Sequence, residues 1–171
     1  MTLRPTVRRT VLLIHVATSV GWLGALAGYL VLDITTTVGT GTTTVRAAYV
    51  AMNILVRYAI VPLALASVLV GVINALGTHW GLFRHYWVLI KLLLTLVATG
   101  VLLLKVQDVG YLATVATTSP DPRPLSSTLE HSVGGMVVLV TALVLSVFKP
   151  RGLTRYGWRK QRGGQLRVDG S

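Results

Sequence analysis

Four long apolar runs divide this chain, and each has the length of a membrane-spanning helix, since a bilayer core about 30 Å thick takes about 20 mostly apolar residues. The first follows Arg8 and Arg9, reads VLLIHVATSVGWLGALAGYLVLD and predicts a helix over 9–32 that closes at Asp33. The second covers 47–76, with Arg57 inside it, Pro62 in its middle and amphipathic, interfacial first turns. The third, 86–104, contains Lys91, and the fourth, 131–148, stops at a basic tail. Between them ITTTVGTGTTTVR, ALGTHWGLFRH and KVQDVGYLATVATTSPDPRPLSSTLE read as connections, the last an exposed loop by its proline, serine and threonine content. The expected fold is all-α, an integral membrane, antiparallel four-helix transmembrane bundle over 1–150, followed by a basic, disordered cytoplasmic tail over 151–171.

The polar positions inside these runs recur at helical spacing, so each helix carries one polar stripe. On the first, His15, Thr18, Ser19, Trp22, Tyr29 and Asp33 share a face, while Ala17, Gly21, Gly24 and Gly28 make a second stripe of small residues that suits close helix packing. On the second helix Asn53, Arg57, Ala64, Ser67, Gly71 and Asn74 align, and Pro62 removes the donor that would serve the Tyr58 carbonyl, which predicts a kink. Lys91, Thr95 and Ala98 align on the third helix, and His131, Gly135 and Ala142 on the fourth.

Composition agrees with a bilayer as the main solvent: 53% hydrophobic residues, 12% charged and a mean hydropathy of +0.69 over 171 residues. A net charge of +11 would suggest nucleic acid in a soluble protein, but the basic residues sit mainly at the chain ends beside apolar segments, so no nucleic-acid partner is expected. Arg4, Arg8, Arg9, Arg84 and seven basic residues from Lys149 onward fall on one side of the four-span arrangement, against Arg46, Lys105 and Arg123 on the other. That asymmetry predicts a multi-pass membrane protein with both termini in the cytoplasm, its tail near anionic lipid headgroups. The excess of arginine over lysine, 12 to 4, hints at a GC-rich bacterial genome and hence the bacterial cytoplasmic membrane. Arg8, Arg9 and Ala25-Leu26-Ala27 imitate a cleaved signal peptide, but the apolar run continues past Ala27. There is no cysteine, which excludes disulfides, thiolate metal sites and cysteine nucleophiles.

Depth sorts the intramembrane polar residues into two layers. His15 and Lys91 both lie on the order of 6 Å from the inner boundary, with Asn74 slightly shallower. Near the outer boundary Arg57, Asp33, Glu130 and His131 form the second layer, Arg57 paired to a carboxylate. Against this stands the plainer reading that Lys91 and Arg57 snorkel to the interfaces and His15 is a packed, hydrogen-bonded residue. No metal site is expected. A b-type haem or another redox cofactor is the sharpest chemical alternative, with His15 and His85 the best-matched axial pair and His131 on the opposite side. His79, Trp80, Phe83 and Trp87 read as an interfacial aromatic belt. No phosphate loop, dinucleotide fingerprint, HExxH or G-x-S-x-G is present, so no catalytic residue is assigned. A small transporter subunit is a further alternative, though no internal repeat supports it.

The strings LLIHVATSVGWLGALAGYL, VPLALASVLVGVINALGT and WGLFRHYWVLIKLLLTL resemble small bacterial four-helix integral membrane proteins grouped as a domain of unknown function, over about Val11 to Leu104. The His15-x(6)-Trp22-x-Gly24 opening and Lys91 early in a later helix are also similar to copper-resistance D type membrane domains and haem-associated membrane proteins. The resemblance implies the architecture and singles out His15, Trp22, Gly24, Arg84, His85 and Lys91. The chain departs from a copper transporter in lacking methionine and histidine clusters. The expected role is accessory or partner-binding, in a homo-oligomer or with another membrane protein.

Overall fold

The computed structural model describes residues 4–76 and 86–148, which are all-helical apart from short connections, with no strand among them. Helix α1 spans Pro5–Val38, α2 Thr42–Leu55, α3 Val61–Leu76, α4 Tyr86–Thr118 and α5 Leu129–Phe148. A π-helical turn, Val56–Ile60, joins α2 to α3 without a break. The four resulting helices, of 34, 35, 33 and 20 residues, are long and apolar enough to cross a membrane.

Local chemistry explains the ends. Pro5 opens α1, where its missing N–H has no partner to lose. Gly39 closes it by bonding its N–H to the Thr35 carbonyl at 2.9 Å, and a Cβ there would lie 2.5 Å from that oxygen and 2.9 Å from Val45 Cγ2. Close approach is what requires glycine. The irregularity expected from Pro62 is the π turn just before it, where the Val61 N–H reaches back to the Val56 carbonyl and widens the helix ahead of the ring.

Two predicted connections are largely helix. α1 runs to Val38 instead of 32, α2 begins at Thr42 instead of 47, and α4 continues to Thr118 instead of 104. Hydropathy marks where a helix suits lipid, and these extensions carry threonine instead. Their hydroxyls bond backward to carbonyls one turn earlier, as Thr35 does to Val31 at 2.9 Å and Thr114 to Gly110 at 3.0 Å, so the side chains are satisfied without unwinding the helix. Packing holds the extensions in place: Val45, Tyr49 and Ala116 form a small buried cluster with Leu112 and Leu125 against it.

α1 packs on α2, α3 and α5, and α4 packs on the same three, so α1 and α4 face one another across the middle. Positions rise along α1 as they fall along α2 and α3, with Gly21 opposite Leu63 and Gly28 opposite Leu55. The end with Pro5, Leu76, Tyr86 and Phe148 is here the terminal end, and the end with Val38, Thr42, Thr118 and Leu129 the loop end. The largest fully buried side chains, Tyr49, Met52, Ile60, Val45, Asp33 and Pro122, belong to the loop-end half and the middle. Toward the terminal end the helices leave a partly open cavity between them.

Candidate functional site

The cavity has a volume of about 530 Å³ and is lined by α1, α3, α4 and α5. Its polar wall begins on the α1–α3 seam, where His15 Nδ1 lies 3.1 Å from the carbonyl oxygen of Ser67. A carbonyl only accepts, so Nδ1 carries the proton and Nε2 is left for a ligand. Gly71 makes this approach possible: a Cβ there would stand 2.8 Å from His15 Cε1. One turn deeper the hydroxyls of Ser19 and buried Ser67 pair at 2.8 Å.

The opposite wall is cationic. Lys91 on α4 donates from Nζ to Ser146 Oγ on α5 at 3.2 Å and lies 5.7 Å from the centre of the Trp87 ring. Arg8, Asn74 and Thr95 also line the space, and among the described residues no carboxylate does. His15, Asn74 and Lys91, grouped by depth in the sequence, thus share one cavity. Ser146 had no sequence signal, because its role depends on the register of α5 against α4.

At the loop end Asp33 is 0% exposed, and its carboxylate is saturated by hydroxyls and a backbone amide. Oδ1 accepts from Ser127 Oγ at 3.3 Å and Thr128 N at 3.2 Å, and Oδ2 from Thr128 Oγ1 at 3.0 Å and Ser132 Oγ at 2.7 Å. With its proton on Asp33, Thr128 accepts from the Tyr29 hydroxyl at 2.8 Å. The acid sits at the N-terminus of α5, whose unpaired N–H groups favour negative charge. Arg46 does the converse at the C-terminus of α4, donating to the carbonyls of Ala116 at 2.9 Å and Ser119 at 2.8 Å. Between these clamps, in the exposed turn, Arg123 grips Asp121 through two guanidinium nitrogens, at 2.9 and 2.8 Å. That contact, with the Arg123 backbone N–H, holds the Asp121 carboxyl at about 2.

The expected outer layer therefore needs correction. Arg57 pairs with no carboxylate among the described residues; it is exposed, bonds Asn53 Oδ1 at 2.9 Å and lies over Gly110, where a Cβ would stand 2.6 Å from Nη2. Asn53, one turn earlier on the same stripe, supplies the acceptor, and Asp33 is already filled by hydroxyls. His131 and Glu130 are exposed and face each other at 3.5 Å, apart from the Asp33 cluster. Ser127, Thr128 and Ser132 were missed, although serine and threonine ahead of an apolar run mark a helix start where an acid would be welcome.

The small-residue stripe is divided. A Cβ on Gly21 would meet Leu63 at 3.5 Å and one on Gly28 would meet Leu55 at 3.8 Å, whereas a Cβ on Gly24 would touch nothing within 4 Å. Gly24 faces outward because α3 lies against the Gly21 side of α1. Trp22 is buried and borders both the core and the cavity. Arg84, His85, His79 and the basic tail lie outside the described residues, so a His15–His85 pair has no geometry here. Among the described residues no group of three His, Cys, Asp or Glu is placed to hold a metal ion. The chain matches no family model, no curated protein and no solved structure, and the family resemblance rests on the quoted motifs alone.

Proposed function

We propose that this chain is a multi-pass integral protein of the bacterial cytoplasmic membrane, an antiparallel four-helix bundle with both termini in the cytoplasm, and that it acts as an accessory binding protein. The membrane reading is supported by the outward display of large apolar side chains along all four helices, Leu13, Leu69, Leu93 and Phe148 among them. Its orientation is supported by the excess of Lys and Arg toward the terminal end.

The observation that carries the binding role is the cavity itself. It is a concave, partly open space with the size and mixed polarity of a small-molecule site. Native mass spectrometry of the protein taken from its own membranes into nanodiscs tests the proposal. A stoichiometric adduct of small mass is expected, lost when Ala142→Trp fills the cavity. A bare wild-type mass would sink the binding role.

A second reading has one observation in its favour. Histidines that ligate metals donate their other ring N–H to a carbonyl or carboxylate, and His15 does so to Ser67. That arrangement suits a b-type haem or another redox cofactor on Nε2. An absorption spectrum of the purified protein, oxidised and then reduced with dithionite, decides it: a Soret band that shifts on reduction and vanishes in His15→Ala favours haem, and a featureless spectrum from cells supplied with haem removes it.

A further inference from the structure

We infer that the cavity takes an anionic amphiphile from the bilayer, entering sideways between α1 and α5 and setting its acidic head group on Lys91. This rests on the reading of the cavity as a binding site and names its ligand class.

Charge is the first ground. Arg8 and Lys91 line the cavity, and among the described residues no acid does. The four acids among the described residues all belong to the loop-end side of the helices and their turn, each with its own partners: Asp33 with Ser127, Thr128 and Ser132, Asp108 with Lys105, Asp121 with Arg123 and Glu130 with His131. Lys91 has a hydroxyl and an aromatic face beside it, and neither neutralises an ammonium. An intramembrane cation with no counter-ion among the described residues calls for an external one.

Shape is the second ground. Leu12, Val16 and Val20 of α1 and Leu143 of α5 line the cavity and yet are 49, 49, 57 and 45% exposed. Between α1 and α5, the bond from Ser132 to Asp33 and the approach of Gly135 to Leu26 lie nearer the loop end. The seam between the two helices is thus pinned at one end and apolar and open to the surroundings at the other. An acyl or isoprenoid chain fits along that apolar seam while a carboxylate or phosphate reaches Lys91, Arg8 and the Ser146 hydroxyl. Charge-assisted hydrogen bonds in so dry a setting are the strong kind.

The test uses the full chain with Trp80→Phe and Trp158→Phe, in nanodiscs of zwitterionic lipid, so that the cavity tryptophans Trp22 and Trp87 report. Dibrominated stearate should quench them saturably and bind at least about tenfold more tightly than its neutral methyl ester. Lys91→Met should reduce the acid to the level of the ester, Lys91→Arg should keep the preference, and Lys105→Met, at a cation outside the cavity, should leave it unchanged. Equal binding of acid and ester overturns the anionic class, and a preference that survives Lys91→Met overturns Lys91 as the seat of the head group. Displacement of the acid by inorganic phosphate assigns the site to a free anion and overturns the amphiphile. Absence of saturable quenching by either probe, with the native adduct still present, refutes this ligand class and leaves the binding role standing; absence of both removes both.

Discussion

Ser132 Oγ on α5 donates to Asp33 Oδ2 on α1 at 2.7 Å, and this contact joins two buried residues that are 99 positions apart. It ties the end of the first helix to the start of the last. The loop end is consequently bonded and packed, and the open space lies at the terminal end, around His15 and Lys91.

Asp33→Ala leaves the donors of Ser127, Thr128 and Ser132 without their acceptor. Loss of a charged hydrogen-bond acceptor in a buried site should cost about 3 kcal/mol or more, and Asp33→Asn, which keeps one oxygen, clearly less. Thermal unfolding in detergent followed by circular dichroism checks the order. Wild-type stability in Asp33→Ala would mean that the cluster is not intact in the folded protein.

Gly71 and Gly24 should respond in opposite ways to a side chain. Gly71→Ala drives a methyl into the His15 ring, which the Ser67 carbonyl holds in place, and overpacking of this kind costs about 1–3 kcal/mol. Gly24→Leu meets open space and should leave the unfolding temperature unchanged. If Gly24→Leu instead alters the mass measured by light scattering in detergent, that face of α1 contacts a second chain.

The Asp121–Arg123 contact makes the turn acid-sensitive in a stated window. The Asp121 carboxyl is lowered from 3.8 to about 2 by its bonds to Arg123, so its contribution is fully present above pH 3.8 and is lost as pH falls toward 2. Hydrogen exchange at residues 119–125 should therefore show lower protection, after correction for intrinsic rates, at pH 2 than at pH 5, and Asp121→Asn should remove the difference. A pH-independent profile in the wild type would show that the contact does not order the turn.

Topology can be read directly, because the chain has no cysteine of its own. Ser126→Cys in the loop-end turn should react with a membrane-impermeant thiol reagent applied to intact spheroplasts, and Gly170→Cys in the tail only after lysis. The reverse pattern would invert the proposed orientation.

Much of the architecture was legible in the chain. Apolar run length marked four helices long enough to span, because burying backbone in lipid leaves the helix few alternatives. Helical periodicity and depth together placed His15, Asn74 and Lys91 near one another. The outer layer was harder to read, since several acceptors and donors were available at similar depth and periodicity says nothing about which of them wins.

By itself, the sequence determined where lipid-compatible helices lie, which face of each is polar and which end of the molecule is basic, since these follow from composition and a 3.6-residue repeat. Only the tertiary structure decided that Asp33 is held by hydroxyls while Arg57 leans on Asn53, that α4 stays helical to Thr118, and that Gly24 faces outward while Gly71 admits His15. Those outcomes depend on the rotation and register of one helix against another, which are fixed by packing between residues tens of positions apart and leave no periodic trace along the chain.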